Sequence, residues 1–414
     1  MRTNPMRGLS RRSRTKWVVR IALALLVAVV GYVGVAHSLS LAVEDRDPAR
    51  AHALFPGNGS ATAQLARAIF SDRQEAGANS EPATLARLAL RQDPTVIQAV
   101  TTLGFQAQLR GELPAARRLF AYAQQLSRRD LQTQLWAIEE AIRRDDVPGA
   151  LHQYDTALRT SKVAPEILFP ILAAAIAEPA VRRSLVATLA RDPAWSALFI
   201  RYVADNAADP ADVVDLYTGL RRAGLALSSD ATTVAVNRLV AAGSLDAAWR
   251  YYASLRPGAD RRRSRDPRFL ADLATPSVLD WSPANDQSIA TSIQRGPRGG
   301  VFDFAAPPTT GGVLLRQVQL LPPGAYRLGG RSDGIEQPAG SLPYWRLSCA
   351  DGRELGQVVV PPSARAGGRF TGRFSVPLGC PVQTLSLVAR PSDELSGVTG
   401  QIAAVQLVPV AARP

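Results

Sequence analysis

Along the chain, apolar positions follow three patterns in turn. From Ile21 to Ala36 they are continuous: sixteen residues without a charge. From about residue 60 to 255 they recur at helical spacing in an Ala-, Leu- and Arg-rich background. After Thr275 they alternate with polar residues, and proline and glycine punctuate them. A period near 3.6 predicts amphipathic helices, and a period of two predicts half-buried strands. The alternation is clear at Trp345, Leu347 and Cys349, which share a face opposite Tyr344, Arg346 and Ser348. Further candidate strands are Val301 to Phe304, Val313 to Leu321, Ala325 to Leu328, Leu355 to Val360, Phe370 to Val376, the Leu385–Ala389 run and the Ala403–Leu407 run. Eight short strands separated by turns predict a β-sandwich, with a jelly roll preferred. The fold class is therefore multidomain: a transmembrane helix, an all-α repeat array and an all-β sandwich.

The first apolar run decides the compartment. Arg2, Arg7, Arg11, Arg12, Arg14, Lys16 and Arg20 precede it, and no acid occurs before Glu44. Basic flanks stay cytoplasmic, so residues 1–16 form a cytoplasmic tail, 17–43 a spanning helix in contact with lipid, and the remainder an exported part. A cleaved signal peptide ending at Gly34-Val35-Ala36 is the competing reading, and it exports the same soluble part. Two lysines among 48 basic residues, with abundant alanine, suggest a GC-rich bacterium. The expected location is the inner membrane, single-pass, with the bulk periplasmic.

Within residues 44–256 the sequence repeats itself. Pro114, Ala116, Phe120 and Ala123 recur 34 residues on as Pro148, Ala150, Tyr154 and Ala157. Leu103-Gly104 and Gly111 precede the first set at the spacing of a helix, a turn and a second helix. Gly243, Leu245, Ala248 and Tyr252 repeat the spacing of Gly111, Leu113, Ala116 and Phe120. Small residues at 116 and 123 let helices approach closely, and proline costs nothing in a first helical turn. Leu103, Gly104, Gly111, Ala116, Phe120 and Ala123 fall in the register of the tetratricopeptide repeat, which this segment resembles. The resemblance implies a solenoid whose concave face binds protein partners. Residues 163–230 are helical in texture but lack the full signature, with Asp192-Pro193 and Asp209-Pro210 as punctuation.

Net charge is +13, but it is concentrated in the N-terminal tail and in Arg261, Arg262, Arg263, Arg265 and Arg268. This argues against a nucleic-acid-binding face. Residues 257–275 read as a solvated basic linker, or as a contact with an anionic polymer or lipid headgroup. Two cysteines, Cys349 and Cys380, read as one disulfide in an oxidising compartment, with two buried thiols as the alternative. Metal, cofactor and catalytic residues are not expected: the three histidines are isolated, and no phosphate loop or nucleophile motif occurs. Glu139-Glu140 and Asp145-Asp146 read as solvated acids or partners of Arg143 and Arg144.

Residues 276–414, the sandwich, are similar in architecture to carbohydrate-binding and galactose-binding-like jelly rolls. That likeness implies a possible glycan contact, with Trp281, Tyr326 and Tyr344 as candidate stacking rings. Trp345 reads as core packing against the disulfide. The leading expectation is a non-enzymatic periplasmic scaffold in envelope or exopolysaccharide assembly or export. The alternatives are a glycan-binding protein or, less favoured, a carbohydrate-active enzyme.

Overall fold

The computed structural model describes residues 14–284, 288–296, 299–392, 395 and 397–410. Of the expected cytoplasmic tail, Arg2, Arg7, Arg11 and Arg12 lie outside the described residues. The chain divides into two compact units, residues 1–168 and 169–414.

The first unit opens with α1 (Arg14–Val43), whose Trp17–Val43 portion is long and apolar enough to cross a membrane. At 1.5 Å per residue, that portion is about 40 Å long. It fits a single-pass anchor or a signal sequence. Its last turns are not free. Ala36 and Ser40 are buried, Ser40 Oγ donates to Ala51 O (2.8 Å), and Asn58 Nδ2 donates to Ser40 Oγ (3.0 Å).

The helices α2 (Pro48–Leu54), α3 (Gly59–Arg73), α4 (Glu81–Gln92), α5 (Ile97–Leu109), α6 (Leu113–Leu126), α7 (Leu131–Arg143) and α8 (Val147–Thr160) follow. Pairing is by neighbours: α3 with α4, α5 with α6, α7 with α8. Caps set the starts. Asn58 accepts from Ser60 N and Ala61 N, Asp130 from Thr133 N, and Asp146 from Gly149 N. Proline stands in the first turn of α4, α6 and α8.

The repeat is written into the turns. Gly111 has φ +78°, and Asp145, 34 residues later, adopts φ +57°. In both places the next amide reaches back to close the preceding helix: Glu112 N to Ala107 O and Asp146 N to Ala141 O, each 2.9 Å. In the second unit Gly243 (φ +73°) does the same, with Ser244 N to Leu239 O at 3.0 Å.

The second unit contains the rest of α9 (Ala164–Ala175), then α10 (Pro179–Leu189), α11 (Ser196–Asn206), α12 (Pro210–Arg222), α13 (Ser229–Ala241) and α14 (Leu245–Leu255). Asp209 caps α12 through Ala211 N, with Pro210 in its first turn. The helices expected as one array over 44–256 thus fall in two units, and α10–α14 share a unit with the sandwich.

The sandwich strands are β1 (Ser282–Pro283), β2 (Ala290–Gly296), β3 (Gly299–Ala306), β4 (Gly312–Gln319), β5 (Gly324–Asp333), β6 (Tyr344–Cys349), β7 (Glu354–Val359), β8 (Arg369–Val376), β9 (Gln383–Ala389) and β10 (Val398–Pro409). The sheets run β1-β4-β9-β6-β7 and β2-β3-β10-β5-β8, and every pairing is antiparallel. From β3 onward the pairs nest: β3 with β10, β4 with β9, β5 with β8, β6 with β7. That nesting is a jelly roll. All eight strands expected from alternation are present, and β1 and β2 are additional.

Residues 257–275 are not a solvated linker throughout. Arg262 and Arg263 are exposed, but Arg265 is buried and Phe269 lies in the sandwich core. The reason is an unfilled sheet edge. β3 pairs with β10 only over Val398–Ile402. Beyond that, Val405 N donates to Pro267 O (2.9 Å), and Leu407 exchanges hydrogen bonds with Ser264. An open edge inside a sheet demands such a partner. Gly300 permits the approach, because a Cβ there would overlap the Phe269 carbonyl.

Candidate functional site

In the first unit, one groove is lined by the first helices of successive hairpins. Arg67, Phe70, Ser71 and Gln74 come from the α3 region, Thr102, Phe105, Gln108 and Leu109 from α5, and Gln132 from α7. Its volume is about 370 Å³. Leu109, Gln132, Ser71 and Gln74 are exposed, and Phe70 and Phe105 are half-buried. Amides and hydroxyls beside partly exposed rings suit an extended peptide, whose backbone needs polar partners and whose side chains need apolar contact.

Repeat packing shapes this groove from beneath. Phe105 meets Phe120 edge-on at 4.9 Å, and Phe120 stacks on Trp136 at 4.2 Å. Trp136 Nε1 donates to Gln108 Oε1 (2.5 Å), so a core ring orients a groove amide. Gly104 is required here: a Cβ would come within 2.8 Å of the Phe120 ring. Ala116 and Ala123 are fully buried beside it, while Leu103 is half-buried in the neighbouring α3–α5 core. Ala150, Tyr154 and Ala157 are buried on α8. Burial raises the Tyr154 hydroxyl above the usual phenol range.

Of the paired acids, Glu140 is buried rather than solvated. It is held by Arg117 (2.6 Å), Arg143 (2.5 Å) and Arg144 (3.8 Å). Asp145 and Asp146 are the turn and the cap described above.

In the second unit, Ala248 and Tyr252 on α14 are buried. Tyr252 does more than pack. Its hydroxyl donates to Asp280 Oδ1 (2.7 Å), while Asp280 Oδ2 accepts from Ser277 N and Oγ. Beside them, Arg265 donates to Leu279 O through Nε (3.0 Å) and Nη2 (2.7 Å), to Gln319 Oε1 (2.9 Å), and to Val318 O. A guanidinium with five fixed donors can satisfy several buried carbonyls at once. Burial lowers its pKa below the usual arginine value. Sequence reading missed this network. The one signal was that Arg265 keeps company with other arginines, which pointed the wrong way.

Two of the three candidate sugar-stacking rings are corrected. Trp281 lies in the core against Trp345 (5.8 Å) and Phe269 (5.7 Å), and its Nε1 donates to Asp266 O. Tyr326 is buried, with its hydroxyl on Pro322 O (2.7 Å). Neither offers a ring face. Trp281 stands just before β1 and Tyr326 within β5, and both take inward positions that large apolar groups fill. Tyr344 is half-buried, and the Arg390 guanidinium covers its ring at 4.6 Å. Trp345 is fully buried. Cys349 and Cys380 form a disulfide, with Cα atoms 5.6 Å apart, that ties the end of β6 to the connection before β9.

No family model matches the chain, and no curated protein matches it. Solved structures give partial matches. PilW, a type IV pilus biogenesis factor, is 16% identical, with 48% of this chain and 93% of that one covered and a TM-score of 0.23. The β-1,4-galactotriose complex of TmCBM61 is 14% identical, covering 31% and 88%, at 0.23. The Gap123 glycosylation-associated complex of Streptococcus agalactiae is 16% identical over 29% of this chain, at 0.21. The chain spans only 39% of that Gap123 chain. At such scores these likenesses carry no argument. The class rests on the geometry itself: an N-terminal apolar helix, tetratricopeptide-like helical hairpins, and a C-terminal jelly roll.

Proposed function

We propose that this chain is a non-enzymatic scaffold held in a bacterial inner membrane, with its bulk in the periplasm. It binds an extended segment of a protein partner in the α3–α5–α7 groove and serves envelope or exopolysaccharide assembly. The observation that carries the reading is the groove, where partly exposed rings alternate with amides on helices fixed by their own repeat. The arginine-rich N-terminus before the apolar run supports the orientation. The disulfide agrees with an oxidising compartment.

Glycan binding by sandwich ring-stacking is less supported. Every aromatic ring of residues 276–410 except Tyr344 is buried. The sandwich serves mainly as a rigid body on which α13 and α14 are seated: on α13, Thr233 Oγ1 donates to Thr275 O and Asn237 Oδ1 accepts from Val278 N, and on α14 the Tyr252 hydroxyl donates to Asp280.

A photo-crosslinking residue at Leu109 tests the groove in cells. One discrete protein adduct is expected, weakened by Phe105→Ala. Absence of any adduct from Leu109, Gln74 and Gln132 in normally expressed protein refutes groove binding. Alkaline phosphatase fused after residue 414 tests the orientation, and an inactive fusion at normal expression overturns it.

A further inference from the structure

A second cavity, of about 720 Å³, opens between α12 and α14 in the second unit. These are not the helices that correspond to the partner groove above. Helical spacing points one stripe of each toward it: Asp215, Thr218, Arg221 and Arg222 from α12, and Arg250, Tyr251 and Ser254 from α14.

Its cations, Arg221, Arg222 and Arg250, outnumber its one acid, Asp215. Among the described residues, no carboxylate forms an ion pair with Arg222 or Arg250, although Asp246 lies near enough to Arg250 to feel its charge. Arg221 is satisfied only by neutral oxygens, Ser254 Oγ and O, each at 3.0 Å. The acid of the cavity, Asp215, shares Arg182 (3.2 Å) with Asp212 (3.1 Å). Asp246, one turn before Arg250, is taken by Arg261 at 2.5 Å. Three guanidinium groups therefore line one polar cavity beside a single carboxylate, which is itself engaged elsewhere.

A second observation is independent of charge. The Tyr251 hydroxyl is buried and has no hydrogen-bond partner among the described residues. Arg221 stands near enough to favour its ionised form, against the larger opposing effect of burial. An orphaned buried hydroxyl costs free energy, and three guanidiniums in excess of one carboxylate favour a bound oxygen-rich anion.

We infer that this cavity binds an acidic saccharide, with the Arg221, Arg222 and Arg250 guanidiniums on its carboxylates and the Thr218 and Ser254 side chains on its ring hydroxyls. The lining decides between saccharide and acidic peptide. Its aliphatic part is Ala211, Val214 and Ala247, too small to hold peptide side chains, whereas Thr218 and Ser254 bring hydroxyls to the same wall. The site lies outside the groove on which the scaffold reading stands, so either can fail without the other.

The test is calorimetric titration of the full chain in detergent with tetragalacturonate. Binding is expected, weakening as salt rises and absent for the methyl-esterified tetramer. Arg222→Ala with Arg250→Ala should weaken it by about 10-fold or more, because removing each charge-assisted hydrogen bond carries a comparable factor. Both arginines are exposed, so the double variant should keep its melting temperature, and an Arg222→Lys, Arg250→Lys pair should retain part of the affinity. Failure of tetragalacturonate to bind overturns the inference. So does binding that the double alanine variant leaves unchanged, or tetraglutamate that binds as tightly as the saccharide.

Discussion

The helical hairpins of the first unit and the jelly roll of the second solve the same packing problem by opposite means. The hairpins use small residues and nearby partners. Ala116, Ala123 and Gly104 bring backbones close, and each helix packs mainly on its sequence neighbour. The jelly roll uses large residues and distant partners. Val398–Ile402 pairs with residues nearly a hundred positions earlier, and Trp281, Trp345, Phe302 and Phe304 fill the interior. Local pairing costs little loop closure, whereas nested strands must close long loops before they gain contacts. The disulfide sits in the second region, where constraint of the unfolded chain counts most.

This contrast is broken most severely at Arg265. Arg265→Ala leaves the carbonyls of Leu279 and Val318 and the Gln319 amide without their donor. The expected loss is about 3–5 kcal/mol, since each orphaned buried acceptor costs about 1–3. Hydrogen exchange should show it in both the sandwich and α13–α14. Loss confined to a few loop residues would mean that the buried arginine does not join them.

Opening the bridge by Cys349→Ser should cost the second unit roughly 3–4 kcal/mol, from the 31-residue loop it closes. Denaturant unfolding with and without reductant measures it. A wild-type midpoint indifferent to reductant, with thiols shown to be reduced, would contradict the estimate.

In the hairpins, Ala116→Trp should overpack α6 against its neighbours and cost about 1–3 kcal/mol or more. Wild-type thermal stability in that variant would argue that Ala116 is not a helix contact. Gly111→Ala should cost about 1 kcal/mol because φ is positive, and Gly111→Asn less, as Asp145 already accepts that geometry.

The smallest effect concerns Asp93, whose carboxylate accepts from Thr95 Oγ1 (2.7 Å) and Thr95 N (2.8 Å). These bonds hold its pKa below the ordinary aspartate value. A folded pKa below the unfolded one gives stability that is present above the unfolded value, about 4, and lost as pH falls through the folded one. Thr95→Val should raise the Asp93 midpoint in a carboxyl NMR titration and reduce that acid sensitivity. An unmoved midpoint would show that the side-chain bond does not set it.

What the sequence determined by itself is what short-range periodicity encodes. The apolar run became α1. The 34-residue recurrence became equivalent turns at Gly111 and Asp145. Strict alternation became eight strands, and two cysteines became one bridge. These features depend on residues a turn or a strand apart, so a linear reading sees them.

What only the tertiary structure decided is who fills which edge and which ring faces out. Arg265 and Phe269 looked like linker, yet β10 needed a partner beyond Ile402, and the segment supplied it. Trp281 and Tyr326 looked available to a ligand, but the fold turned both inward. Arg221, Arg222 and Arg250 carried no signal among so many arginines. Their convergence arises because α12 and α14, some thirty residues apart, face one cavity. Charge compensation and edge pairing are three-dimensional conditions, and no local pattern records whether they are met.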